Sequence, residues 1–127
     1  MGEGVRRMTS ASTKAVVDRH LEAWRRGDIQ ALLADYADDA KMLHAGMGVV
    51  DGKAAIGALL AQTFAELLPP ADTALLVDAI VIGGDHALVH YTAVTSTVRL
   101  GGAFDAFTLR DGKIVAQFSG GEVIALD

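Results

Sequence analysis

Apolar residues recur at three- and four-residue spacing through Val16, Val17, Leu21 and Trp24, with His20 on the same stripe. That spacing predicts an amphipathic helix over Thr13 to Arg26, with Ser12 or Thr13 placed to cap its start. Arg25, Arg26 and Gly27 read as its end: cations in the last turn, then a residue free to close the helix in the left-handed conformation. Asp28 caps a second helix over 29–36 whose apolar face is Ile29, Leu32, Leu33 and Tyr36. The pattern turns extended over Ala40 to Ala45. Gly46, Gly48 and Asp51-Gly52 then break the chain around a short Val49-Val50 strand. From Lys53, residues Ala55, Ile56, Leu59, Leu60, Phe64 and Leu67 restore helical spacing until Pro69-Pro70 stops it.

Everything beyond Pro70 reads as strand: 72–82, 86–98, 103–109 and 113–123, with turns at Gly83-Gly84-Asp85, Gly101-Gly102 and Asp111-Gly112. Helices first and an antiparallel run afterwards predict an α+β layout, three helices on one face of a strongly curved sheet. The expected organisation is a flexible leader over 1–12 and one domain over 13–127, with Met8 an equally good start. A bent sheet wrapped around a long helix encloses a conical cavity, and such mouths are favoured ligand sites.

Composition narrows the chemistry. A chain of 127 residues with 51% hydrophobic and 21% charged residues fits one globular domain. The formal charge of −5, with no basic cluster beyond Arg25-Arg26 and a short N-terminal pair, disfavours nucleic acid as a partner. No apolar run reaches the roughly twenty residues that span a bilayer, and the first residues lack the apolar core of a secretory signal. The absence of cysteine excludes disulfides and thiol chemistry and fits a reducing cytoplasm. The histidines form neither an HxH nor an HExxH motif, and no glycine-rich nucleotide loop or GxSxG elbow is present. The expectation is therefore a protein without metal or other cofactor.

Strand alternation places Asp105 on one face with Phe107 and Leu109, where a charged carboxylate is expensive unless its pKa rises or it finds a partner. His44 shares a face with Met42 and titrates in the range that suits a general base, or is an ordinary strand-end histidine. His20 faces inward, either as a donor to a substrate oxygen or to Asp105, or as a satisfied core residue. If His90 alternates inward with Leu88, it adds a polar wall and Tyr91 faces away. Trp24, Phe64 and Phe107 line the cavity or fill the core, and Gln117 and Ser119 add polar contacts from the last strand.

The words AWRRGD, ADYADDA, DGKAAI and FTLRDGKIVAQF, in this order, resemble the NTF2-like superfamily, and within it the SnoaL-like and ketosteroid-isomerase-like branch. The resemblance implies a cystatin-like cone, and a homodimer through the exposed sheet face, with which the alternation of Thr95, Thr97 and Arg99 is compatible. Laid over this chain, the isomerase pattern puts His20 at the oxyanion-donor tyrosine, His44 at the general-base aspartate and Asp105 at the acid held protonated. Only the last keeps its residue type. The expected catalytic set is thus His44, Asp105 and His20, with Trp24, Phe64, His90, Phe107 and Gln117 binding the substrate. The expected activity is a cofactor-free isomerase or cyclase acting on a small apolar molecule that carries a carbonyl or hydroxyl group. The alternative is a non-catalytic apolar-ligand or dimerisation module of the same fold.

Overall fold

The computed structural model describes residues 8–127. Helix α1 (Ser10–Arg26) starts earlier than its hydrophobic stripe, because its cap is Thr9. Thr9 Oγ1 accepts the Ser12 N–H while Ser12 Oγ accepts the Thr9 N–H, satisfying two free donors at once. Residues 9–12 of the expected leader are therefore cap and first turn, while 1–7 lie outside the described residues. The helix closes at Gly27 with φ 64°. A Cβ there would lie 2.3 Å from Pro70 Cγ, so glycine is needed for backbone angle and for space alike.

Asp28 caps α2 (Ile29–Ala34) by accepting the Ala31 N–H. This helix ends before Tyr36, which opens strand β1 (Tyr36–His44) and is buried rather than placed on a helix face. Strand β2 (Gly48–Asp51) pairs back on β1, and α3 (Lys53–Gln62) follows. A wider turn at Thr63–Leu67, closed by the Leu68 N–H on the Thr63 carbonyl, leads into a 3-10 turn at Pro70–Asp72. Strands β3 (Ala74–Gly83), β4 (His86–Val94), β5 (Val98–Arg110) and β6 (Lys113–Ala125) complete the chain.

The reversal expected at Gly101-Gly102 falls instead at residues 95–97. There Thr95 Oγ1 accepts the Thr97 and Val98 N–H groups and does locally what a glycine turn would do. The two glycines lie inside β5 at a slip in its pairing with β6. Thr95, Thr97 and Arg99 consequently do not alternate along one strand face.

The sheet order is β2-β1-β6-β5-β4-β3, antiparallel throughout except for the β1/β6 pair. Its concave side packs on the helices through Val17, Leu32, Ile56, Val89, Phe107 and Ile114. On the convex side the register aligns Val49, Leu43, Phe118, Ala106, Leu88 and Val81 in one row across all six strands. Val49, Leu43, Phe118 and Val81 are exposed. Among the described residues no helix is long and apolar enough to cross a membrane.

Candidate functional site

Sheet register builds the site. His44 pairs with Ser119, Ser119 with Asp105 and Asp105 with Val89, so their side chains share the concave face. Two strand spacings, about 10 Å, separate the backbones of His44 and Asp105. One step along, Met42, Gln117 and Phe107 form the parallel row. Gln117 and Ser119 therefore stand between the two residues that sequence reasoning singled out.

Asp105 Oδ1 accepts the Ser119 hydroxyl at 2.6 Å and the Gln117 amide at 3.4 Å, and the same amide donates to Ser119 Oγ at 2.8 Å. Oδ2 has no hydrogen bond to any described residue and is not sealed from solvent. Burial pushes the Asp105 carboxyl above the usual range. The bond from Ser119, the charge of His20, the bond from Gln117 and the charge of His44 oppose this without cancelling it.

From α1, His20 reaches into the same region, wedged edge-on against the rings of Tyr36 and Phe107. Its Nδ1 lies 3.0 Å from Asp35 Oδ2, and Asp35 Oδ1 accepts both Nε and a terminal nitrogen of Arg19. Burial would raise Asp35, but the bonds and charges of His20 and Arg19 outweigh it and hold the carboxyl below its usual range. The Tyr36 hydroxyl donates to Gln117 Oε1 at 2.5 Å and lies 3.5 Å from His20 Nε2. Burial, then the charges of Asp105 and Asp35, push the Tyr36 phenol well above its ordinary value, so it keeps its proton.

A cavity of about 120 Å³ opens beside this network. Its apolar wall includes Trp24, Met42, Leu59, Leu60, Leu68 and Leu100, and the wide turn brings Thr63 and Leu67 to it. Its polar end is Tyr36, His44, Tyr91, Gln117 and Ser119. Asp105 stands one step behind, bonded to two of these side chains. The Tyr91 hydroxyl has no hydrogen bond to any described residue, and burial, with the charge of Asp105, pushes its pKa up.

Several expectations change here. His44 does line the cavity, but its Nδ1 accepts the Gly46 and Met47 N–H groups at 3.0 and 3.1 Å. The nitrogen that would take a proton is occupied, and a neutral ring then presents Nε2–H, a donor rather than a base. His90 is exposed on the convex face beside Phe104, and Tyr91 takes the inner place. On β4 the alternate set Ala87, Val89, Tyr91 and Ala93 is the apolar one and the set of His86, Leu88, His90, Thr92 and Val94 is mixed, so the apolar face turns inward and takes Tyr91 with it. Phe64 backs Trp24 edge-on at 4.7 Å and Phe107 backs His20, both in the core rather than on the cavity wall. Trp24 and Gln117 line it. Asp35, Tyr36 and Tyr91 were missed. The readable trace was an acid directly before a tyrosine at a helix end, masked because Tyr36 also fits the helical stripe. Among the described residues no group of three His, Asp or Glu side chains could hold a metal ion.

A curved sheet closed by three helices around an apolar pocket with a polar end is an NTF2-like cone. The chain belongs to the SnoaL-like domain family, whose profile matches residues 17–117. Among solved structures it is similar to a SnoaL-like protein of unknown function from Burkholderia thailandensis, with 21% identity, TM-score 0.75 and coverage of 92% of this chain and 99% of the other. A putative ketosteroid isomerase from Kribbella flavida shows 15% identity and TM-score 0.74 over 88% and 78% of the two chains. An LEH-like epoxide hydrolase of M. tuberculosis shows 17% identity and TM-score 0.69 over 88% and 84%. No curated protein matches the chain.

Proposed function

We propose that this chain is a cofactor-free enzyme that moves a proton on a small apolar compound bearing a carbonyl, with Asp105 as the acid/base. One observation carries the reading. A carboxyl of raised proton affinity is bonded to two side chains at the polar end of an apolar cavity, with one oxygen uncommitted. Burial makes such a carboxylate a stronger base at neutral pH. Asp105 lies behind Gln117 and Ser119 rather than on the cavity wall, so the reacting carbon reaches past them to Oδ2, which takes a proton from the carbon next to the carbonyl and returns it at another carbon. The Tyr91 hydroxyl, which holds its own proton tightly, and His44 Nε2–H donate to the enolate oxygen formed between the two transfers.

The cavity sets the scale of the substrate. A closed pocket of about 150 Å³ holds one benzene, and this one, open at its mouth, measures about 120 Å³. A single ring or a short branched chain fits, with any further atoms left in the mouth.

The test is turnover of a panel of one-ring and multi-ring unsaturated ketones, followed across pH. One-ring compounds should be preferred, kcat/KM should rise with pH through the ionisation of Asp105, and Asp105→Asn should lose about 10²–10⁴-fold. Undiminished turnover by Asp105→Asn sinks the assignment. Tight, pH-indifferent binding with no turnover by any compound would instead support the binding-module reading.

A further inference from the structure

The buried polar groups between α1 and the cavity form one chain: Arg19, Asp35, His20, Tyr36, Gln117, then Ser119 and Asp105. Its donor directions can be worked out link by link. Asp35 is a carboxylate, held so by its two partners, and a carboxylate only accepts. His20 Nδ1 must therefore carry a proton and donate it. Tyr36 has one proton and spends it on Gln117 Oε1. Toward His20 it offers only a lone pair, so that contact is a hydrogen bond only when His20 Nε2 also carries a proton. With Oε1 engaged, the Gln117 amide nitrogen faces Ser119 and Asp105 and donates to both. The reverse placing of the amide would set its oxygen against a carboxylate oxygen, acceptor on acceptor.

We propose that Asp35, His20 and Tyr36 are positioning residues: Asp35 fixes the His20 ring, and Tyr36, packed edge-on against that ring, donates to Gln117 Oε1 and so locks the amide in the orientation that serves the Asp105 carboxylate. The chain serves the ionised state of the acid, because the amide N–H donates and the carboxylate accepts. Without the Tyr36 proton on its oxygen, Gln117 is free to present that oxygen, which suits a protonated Asp105. His20, fixed by Asp35 and packed edge-on against Tyr36, thus acts on an acid it never touches. The groups facing Asp105 are Gln117 and Ser119 from β6, Tyr91 from β4, Tyr36 and His44 from β1 and His20 from α1. Those facing His20 are Asp35, Tyr36 and, through charge, Asp105. The catalytic meaning of the chain rests on Asp105 being the reactive acid, but its existence does not.

The experiment reads Asp105 directly, by the pH titration of its carboxyl ¹³C signal in the wild type, Tyr36→Phe, His20→Gln and the double variant. Each single change should move the midpoint up by about one pH unit, the worth of one hydrogen bond to a charged group. The double variant should move it no further than the larger single change, because both cut the same chain. An unmoved midpoint in Tyr36→Phe, or strictly additive shifts, overturns the chain whatever Asp105 does in catalysis. A moved midpoint with unchanged turnover supports the chain and refutes the acid/base reading instead. In the wild type, His20 ¹⁵N shifts give a check that requires no variant to fold. Nδ1 should carry a proton, donated to Asp35, and a lone pair at Nδ1 refutes the proposal.

Discussion

Replacing Asp35 by alanine tests how much of the fold hangs on the first links of this chain. Asp35 is 2% exposed and receives bonds from Arg19 and from His20. The two partners are not equivalent. The Arg19 side chain is 60% exposed, so water takes over when its partner is lost, and such pairs contribute about 0.2–1 kcal/mol. His20 is 3% exposed, and without Asp35 its Nδ1–H faces no acceptor in a place water does not reach. Removing one member of a buried pair costs about 3–5 kcal/mol. Arg19→Ala should therefore cost about 1 kcal/mol or less, and Asp35→Ala about 3–5, read by urea unfolding at pH 7 with the slope m compared between variants. The pH dependence has a definite sign. The Asp35 carboxyl is held lower in the folded chain than in the unfolded one, so its contribution is full above about pH 4 and is lost as pH falls through the folded value below that. Equal costs for the two substitutions, or a gap that already closes near pH 6, would refute this division of labour.

Asp105→Asn should have the opposite effect. Its carboxyl binds a proton more tightly in the folded chain, so ionised Asp105 costs stability as pH rises through that window, and the amide should raise the thermal midpoint at pH 7 but not at pH 3. A destabilised variant at pH 7 would mean that the Ser119 and Gln117 bonds outweigh burial. Gly27→Ala should cost about 2–4 kcal/mol in the same urea assay, because a Cβ is strained at φ 64° and meets Pro70 Cγ at 2.3 Å. Pro70→Ala, which removes that carbon, should recover part of the loss in the double variant, and no recovery would refute the clash.

The elements were legible wherever one local rule decided them. The α1 stripe, the Gly27 stop, the Asp28 cap and the Pro69-Pro70 stop each follow from residues within one turn of each other. Reading failed where two signals competed for the same residue. Gly101-Gly102 has the composition of a turn, yet Thr95 builds the turn first and leaves the glycines to form a bulge. Tyr36 continues a helical stripe, yet its ring is buried at the start of β1.

The site was legible by composition and not by role, because role is set by contacts between distant residues. Asp105 was found from its apolar strand face, but Ser119 and Gln117 reach it only through the β5/β6 register. His44 turns inward to the cavity. Its base role fails on two backbone N–H groups from the loop that follows, which no periodicity describes. His20 reads evenly between core and site; in the structure it is a satisfied core histidine through Asp35, and its contact with Tyr36 is the link by which we propose that it acts on Asp105. A buried polar chain with every member bonded is expensive to assemble and adds little stability over an apolar core of the same shape. Its presence between a surface arginine and a carboxyl of raised proton affinity is therefore explained better by what it does to that carboxyl than by what it does for the fold. If so, apolar replacement of His20 and Asp35 together should leave a folded cone whose Asp105 no longer ionises where the wild type does.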